Sequence, residues 1–258
     1  MEPLFLASAT APAASRADMV RNAAAAGFAG VGMRFDREPA APGELAELSR
    51  VLADTGLSVL DIEVIRIGNE SPGVTEALFD AASSLSARTM LTVSDIPDRA
   101  ATVDRLGELA DEAASRSLLI SLEFMVFTSI RTLADAVSIV RELNHPAVGI
   151  LPDALHMNRS HSNVADLAAA RDLIAHAQLC DAPKVAPVGN EALLEEARFV
   201  RSMPGEGGLE LAPFLRAIGD APISVEVQSR ALQSSLEPAV VARLAHDTAR
   251  RALAAAGR

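Results

Sequence analysis

Four oxygen-bearing side chains stand near the C-terminal ends of four short apolar runs. They are Glu123 in S-L-E-F-M, Asp153 in G-I-L-P-D, Gln178 in H-A-Q-L-C-D and Glu226 in I-S-V-E-V-Q. Gathered at one point, three carboxylates and an amide oxygen call for a counter-charge, because a partly dry site does not tolerate unpaired anions. One divalent cation is the simplest. An all-oxygen donor set suits Mn2+ or Mg2+, with Co2+ admissible. Structural zinc is disfavoured, since the chain has one cysteine, Cys180, and no paired His or Cys spacing.

The runs that carry these groups read as buried β-strands, each followed by a helix-like stretch. Strand alternation puts Ser121, Glu123 and Met125 on one face and Leu122 and Phe124 on the other. It likewise pairs Ser224, Glu226 and Gln228 against Val225 and Val227, sets His176, Gln178 and Cys180 together, and sets Asp61 beside Glu63. The face that packs on helices has to be apolar, so these polar groups point inward. Strands are expected at Leu4–Ser8, Gly30–Phe35, Val59–Ile67, Thr89–Ser94, Leu119–Met125, Val148–Pro152, His176–Asp181 and Ile223–Gln228. Helical spacing marks Ala17–Ala26, Gly43–Asp54, Thr75–Leu85, Ala101–Ala114, Leu133–Leu143, Val164–Ala175, Glu191–Arg201 and Pro238–Ala255. Ser15 and Ser129 read as helix caps, and Gly27 and Gly56 as helix ends. Alternation of this kind over 258 residues predicts a single (β/α)8 TIM barrel domain spanning 1–258. The turn after the first strand, S-A-T-A-P-A-A-S, lacks the glycines of a dinucleotide-binding open sheet. In a barrel all strand ends meet at one mouth, so the four donors meet too. A glycine-rich insertion, S-M-P-G-E-G-G-L-E-L, falls between the last two strands, where it can wall a pocket.

Bulk properties narrow the partners. Half the residues are hydrophobic, only 3% are aromatic, and Trp and Tyr are absent, so Ala, Leu, Val and Ile must build the core. The formal net charge of -11 argues against nucleic acid and anionic membranes and leaves a small-molecule substrate. A single cysteine suits a cytoplasmic location. The N-terminal M-E-P-L-F-L has no basic segment and reads as a first strand rather than a signal peptide.

Taken together, L-E-F near Glu123, D-A-L-H-M-N-R from Asp153 to Arg159, Q-L-C-D from Gln178 to Asp181, R-S-M-P-G-E-G from Arg201 to Gly207 and S-V-E-V from Ser224 to Val227 resemble the xylose isomerase-like TIM barrels, the sugar phosphate isomerase/epimerase family. The resemblance spans essentially the whole chain. It implies that Glu123, Asp153, Gln178 and Glu226 are metal ligands, that Glu123 and Glu226 also move protons, and that His156 and Arg201 contact substrate. It further implies a homo-oligomer, dimer or tetramer. Many relatives carry His where this chain has Gln178; a neutral amide oxygen shifts preference further toward Mg2+ or Mn2+.

The implied chemistry is proton abstraction next to a carbonyl through a metal-stabilised enediolate. The first expectation is therefore an isomerase or epimerase acting on a sugar or related polyhydroxylated carbonyl compound. Expelling a β-hydroxyl from the same site makes a dehydratase of the 2-keto-inositol or 3-dehydroshikimate type. A third reading, opened by Gln178, is a non-catalytic or accessory ligand-binding relative. Further substrate-contact candidates are Glu63, Lys184, Arg159 and Glu206. Three of them have other readings: Glu63 as lining the pocket floor or positioning a ligand, Arg159 as solvated or paired with a surface acid, and Glu206 as a loop support. His156 is open between binding or protonating substrate and orienting a loop. Asp181 is expected behind the ligands.

Overall fold

The computed structural model describes residues 2–258 as one ring of parallel strands with helices outside. The elements are β1 (Leu4–Leu6), α1 (Arg16–Ala26), β2 (Gly30–Arg34), α2 (Glu44–Thr55), β3 (Ser58–Ile67), α3 (Val74–Ser84), β4 (Thr89–Ser94), α4 (Arg99–Ser115), β5 (Leu119–Glu123), α5 (Leu133–Leu143) and β6 (Val148–Leu151). Then follow α6 (Ala154–Arg159), α7 (Val164–Ala169), β7 (Ala177–Leu179), α8 (Asn190–Phe199), α9 (Leu211–Ile218), β8 (Ile223–Val225), α10 (Arg230–Ser235) and α11 (Pro238–Ala256). The strand order is β6-β5-β4-β3-β2-β1-β8-β7. The ring closes between β6 and β7 through isolated parallel bridges, Ile150 to Ile174 and Asp153 to Gln178.

The alternation has its expected consequence. Ile120 and Leu122 from β5 and Phe124 just past it, with Val225 and Val227 around β8, join the large core between sheet and helices. Their neighbours Ser121, Glu123, Gln178, Ser224 and Glu226 are buried but polar, and lie on the other face of the strands. A small separate apolar cluster of Val64, Leu91, Val93 and Leu151, with Met125 against it, packs apart from that core.

Three expectations are corrected. The helix expected over Val164–Ala175 stops at Ala169, and a 3-10 turn at Arg171–Leu173 follows, which brings Ile174 back in time to bridge to Ile150. Ser129 does not cap α5. Thr132 does: its hydroxyl accepts from the Asp135 N–H while the Asp135 carboxylate accepts from the Thr132 N–H, a reciprocal capping box. The segment between β7 and β8 holds the helix α9 besides α8, and α9 went unseen because P-G-E-G-G masks its start. Ser15, Gly27 and Gly56 act as expected, the glycines with φ of 93° and 70°.

Candidate active site

Each of the four donors is set by a strand end. Glu123 is the last residue of β5, Gln178 the middle of β7, Asp153 lies two residues past β6, and Glu226 follows β8 directly. Asp153 also caps α6, accepting from the N–H groups of Leu155 at 2.7 Å and His156 at 3.1 Å. Its other oxygen accepts from Arg201 Nη1 at 2.7 Å. Glu226 is fixed by its backbone, whose N–H donates to Leu179 O at 3.0 Å. Thr10 locks the same strand end: its hydroxyl donates to Val225 O and accepts from the Val227 N–H, both at 2.9 Å. Nothing in S-A-T-A-P advertised that role for Thr10.

Arg201, expected only as a substrate contact, also pairs with the acids. It is fully enclosed, and Nη1 lies 2.7 Å from Asp153 Oδ2 and 3.0 Å from Glu226 Oε2. It thus spans two of the three carboxylates while still reaching the cavity wall. Burial works against the charge on Arg201, but Asp153, Cys180 and Glu226 outweigh it and raise its pKa. Burial also opposes ionisation of Asp153, yet Arg201, His156 and its hydrogen bonds hold its pKa below the usual range. Glu123 has no such support. Burial, then the negative charges of Glu226 and Asp153, push it well above the ordinary carboxyl value. His156 Nε2 is 3.8 Å from Glu123 Oε1, and its ring meets Phe127 edge-on at 5.6 Å. Burial brings the His156 pKa down to about 4, so the imidazole is neutral at ordinary pH.

Gln178 provides the test of a metal at this place. It is wholly buried, and neither its amide oxygen nor its amide nitrogen has a hydrogen-bond partner. Orphaning both ends of a buried amide costs of order 1–3 kcal/mol per group unless something else binds them. A hard cation on Oε1, with the carboxylates beside it, satisfies that oxygen. Among the described residues no three His, Cys, Asp or Glu side chains form a ready-made ion site by themselves. Gln178 lies outside that set, so an ion at this place would need its amide oxygen as well as the carboxylates. The oxygen chemistry therefore fits a divalent ion held by Glu123, Asp153, Gln178 and Glu226.

Above these residues lies a cavity of about 200 Å3, lined by Glu63, Glu123, His156, Arg201, Glu226 and the apolar Val64, Leu91, Val93 and Phe127 among others. Its rim is basic. Arg34, Arg37, Arg66 and Arg198 all border it, in a chain whose net charge is -11. Asp36 meets Arg34 at 3.0 Å and Arg66 at 3.6 Å. Among the described residues, Arg37 and Arg198 have no carboxylate within ion-pair distance. The pKa of Arg37 is drawn down, first by Arg34 and then by burial, with Arg66 and Arg198 adding to it. A cluster of like charges is costly until an anion arrives.

Of the ten residues expected at the site, the structure brings Glu63, Glu123, His156, Arg201 and Glu226 to the cavity, with Asp153 and Gln178 directly beneath through their contacts. Arg159 is elsewhere engaged: its Nε and Nη2 both donate to the Glu196 carboxylate at 2.7 Å, so it ties α6 to α8. Lys184 is exposed, and Glu206 is exposed with Arg251 3.8 Å away; neither lines the cavity. Asp181 turns out to staple the glycine-rich loop, accepting from the N–H groups of Gly205 at 3.0 Å and Leu209 at 2.9 Å. A Cβ on Gly207 would sit 2.4 Å from Asp181 Oδ1, which is why this loop needs glycine. The rim arginines Arg34, Arg37, Arg66 and Arg198 were not singled out for the site. Their only signal is that three of them sit just after or at the ends of β2 and β3, and Arg198 in α8 lies near Arg201 in sequence.

Comparison with known proteins places this geometry. A family model described as xylose isomerase-like TIM barrel matches residues 20–252. A 3-dehydroshikimate dehydratase of Pseudomonas aeruginosa is 29% identical over 225 residues, covering 79% of this chain and 34% of that protein. The chain thus spans about a third of the length of that curated relative. Among solved structures, the protein IolI, described with a bound zinc atom, superposes with a TM-score of 0.85 at 18% identity, over 98% of both chains. A D-psicose 3-epimerase crystallised in the presence of D-fructose gives 0.74 at 16% identity, over 99% of this chain and 100% of that one. At these identities the two structures show the shared fold.

Proposed function

The chain belongs to the xylose isomerase-like TIM barrel family, and from that premise we propose that it is a divalent-metal-dependent lyase, dehydrating a small cyclic hydroxy-ketone that carries a carboxylate. The observation that carries this reading is the basic rim: four arginines, two of them without a carboxylate partner, facing an oxygen-donor site in an otherwise acidic protein. A neutral sugar can accept hydrogen bonds from such a rim but leaves its charge uncompensated; a carboxylate meets both, through charge-assisted and bidentate hydrogen bonds. The likeness to a 3-dehydroshikimate dehydratase supports the same class, since that protein is named for such a substrate.

Bound among Glu123, Asp153, Gln178 and Glu226, an Mn2+ or Mg2+ ion would polarise a substrate carbonyl and acidify the neighbouring C–H. The residues do the rest. The rim arginines orient the ring by its carboxylate. Glu226, held by Arg201 at 3.0 Å, faces the cavity and takes the proton from carbon. His156, neutral beside Glu123, hydrogen-bonds a ring hydroxyl. Val64, Leu91, Val93 and Phe127 exclude water from one side.

Epimerisation, the first expectation from sequence, is the second reading. It is favoured by Glu123 and Glu226 both facing the cavity from different strands, β5 and beyond β8, as two-faced proton transfer requires. The two are separated by incubating the Mn2+-loaded protein with 3-dehydroshikimate in deuterated water. Dehydration appears as a conjugated, ultraviolet-absorbing product with one water lost. Recovery of an unchanged or epimerised ring with deuterium at one carbon supports the second reading, and neither product nor exchange contradicts both.

A further inference from the structure

Asp61 and Glu63 project from the inward face of β3, and both are 0% exposed. None of their four carboxyl oxygens receives a hydrogen bond from a donor in the protein. The nearest cation is Arg34, whose Nη2 is 3.7 Å from Glu63 Oε2 and which is shared with Asp36. Glu63 borders the cavity; Asp61 does not, and lies behind it, in contact range of the Gly32 backbone. Two neighbouring buried carboxyls without donors cannot both ionise.

Charge balance leads to the same place. Inside the mouth are five buried carboxyls, Asp61, Glu63, Glu123, Asp153 and Glu226, facing the guanidiniums of Arg34 and Arg201. A divalent ion leaves one negative charge over. One retained proton cancels it, and the pair on β3 is the place for it: its one arginine contact, at 3.7 Å, is shared with Asp36.

We propose that Asp61 and Glu63 share one proton, and that Glu63 delivers it to the hydroxyl leaving the substrate. This rests on the dehydratase reading above. Glu226 takes the proton from the carbon next to the carbonyl, and that C–H electron pair becomes the new C=C bond. The C–O bond to the β-hydroxyl breaks with its pair going to oxygen. That oxygen takes the Glu63 proton and leaves as water. The proton on Glu226 returns to the Asp61–Glu63 pair through cavity water, so the enzyme is restored and one water is released. His156 is unsuited to the task, because a neutral imidazole is a poor acid at ordinary pH. The groups facing the pair support a held proton: burial raises both pKa values, Glu63 to about 7, with Glu226 and Asp36 adding to it and Arg34 opposing.

Two measurements test the proposal. Infrared spectra of the Mn2+-loaded protein at pH 7, where the ion would hold Glu123 ionised, should show a protonated-carboxyl C=O band that shifts in deuterated water and is lost in Asp61→Asn. Its absence from the wild-type protein overturns the shared proton whatever the reaction. Glu63→Gln should lower kcat for dehydration roughly a hundredfold or more, yet retain solvent deuterium exchange at the acidified carbon. It should also turn over a substrate analogue with fluoride in place of the leaving hydroxyl, since fluoride needs no proton. Equal loss on both substrates overturns the acid role. Should Glu63→Gln fail to fold, Asp61→Asn serves, with a shifted pH profile for kcat expected and an unshifted one contrary. If the wild-type protein neither dehydrates the substrate nor exchanges deuterium, the proton-abstraction reading fails and the acid role with it, while the infrared band still decides the shared proton.

Discussion

At the scale of single residues, the same side chain type is placed in very different electrical surroundings. Asp153 is surrounded by donors and stays ionised; Glu123, one strand away, has only a neutral His156 at 3.8 Å. Such separation of neighbouring carboxyls is what assigns distinct roles within one site. The arginines divide likewise. Arg201 and Arg159 are committed to buried acids at 2.7 Å, whereas Arg37 has no such partner. Replacing Arg37 by Ala should raise KM for an anionic substrate about tenfold, near 1.4 kcal/mol, and change kcat little, because the carboxylate is gripped equally in ground and transition states. Steady-state kinetics checks this; an unchanged KM removes Arg37 from substrate binding.

At the scale of elements, the strand ends position the chemistry and the loops supply its walls. Asp181 is the hinge point of that arrangement, holding Gly205 and Leu209 of the loop that runs from Arg201 into α9. Asp181→Ala leaves the part-buried N–H groups of Gly205 and Leu209 unpaired and should cost about 1 kcal/mol. Faster cleavage by protease between Gly205 and Leu209 would report it, and unaltered cleavage would show the loop is held otherwise. The strands were legible in sequence because their period of two writes itself into Ser121–Glu123–Met125 and Ser224–Glu226–Gln228, and because β-branched and aliphatic residues crowd the intervening positions. Three classes of feature were not legible. Short helices such as α6 and α10 have too few turns to show a period. Arg159 and Arg201 stand in similar contexts, yet one ties two helices together and the other reaches the carboxylates; only the fold distinguishes them. The unsatisfied state of Gln178, Asp61 and Glu63 is a property of three-dimensional packing and has no trace in the order of residues.

At the scale of the whole molecule, no helix among the described residues is long and apolar enough to cross a membrane. A negative surface surrounds a positive mouth with a buried negative site below it. Stability should therefore respond to pH on both sides. Glu63, raised to about 7, binds a proton in the folded state where the unfolded carboxyl does not, so stability is lost as pH rises from about 4.5 through 7. His156 and His176, lowered by burial to about 4 and about 3, stay neutral where the unfolded imidazole is protonated, so stability is lost as pH falls from about 6.5 through those values. The metal-free protein should have its highest Tm between about pH 4.5 and 6.5, and thermal melts across pH would show it. A Tm that rises steadily to pH 9 would contradict the buried carboxyls described above. The central claim is that Glu123, Asp153, Gln178 and Glu226 form one hard-cation site. Titrating Mn2+ into the metal-free protein, followed by electron paramagnetic resonance, tests it most directly. One ion per chain is expected, with Gln178→His retaining an ion but shifting preference toward zinc; no binding, or affinity and selectivity untouched by Gln178→His, would contradict it.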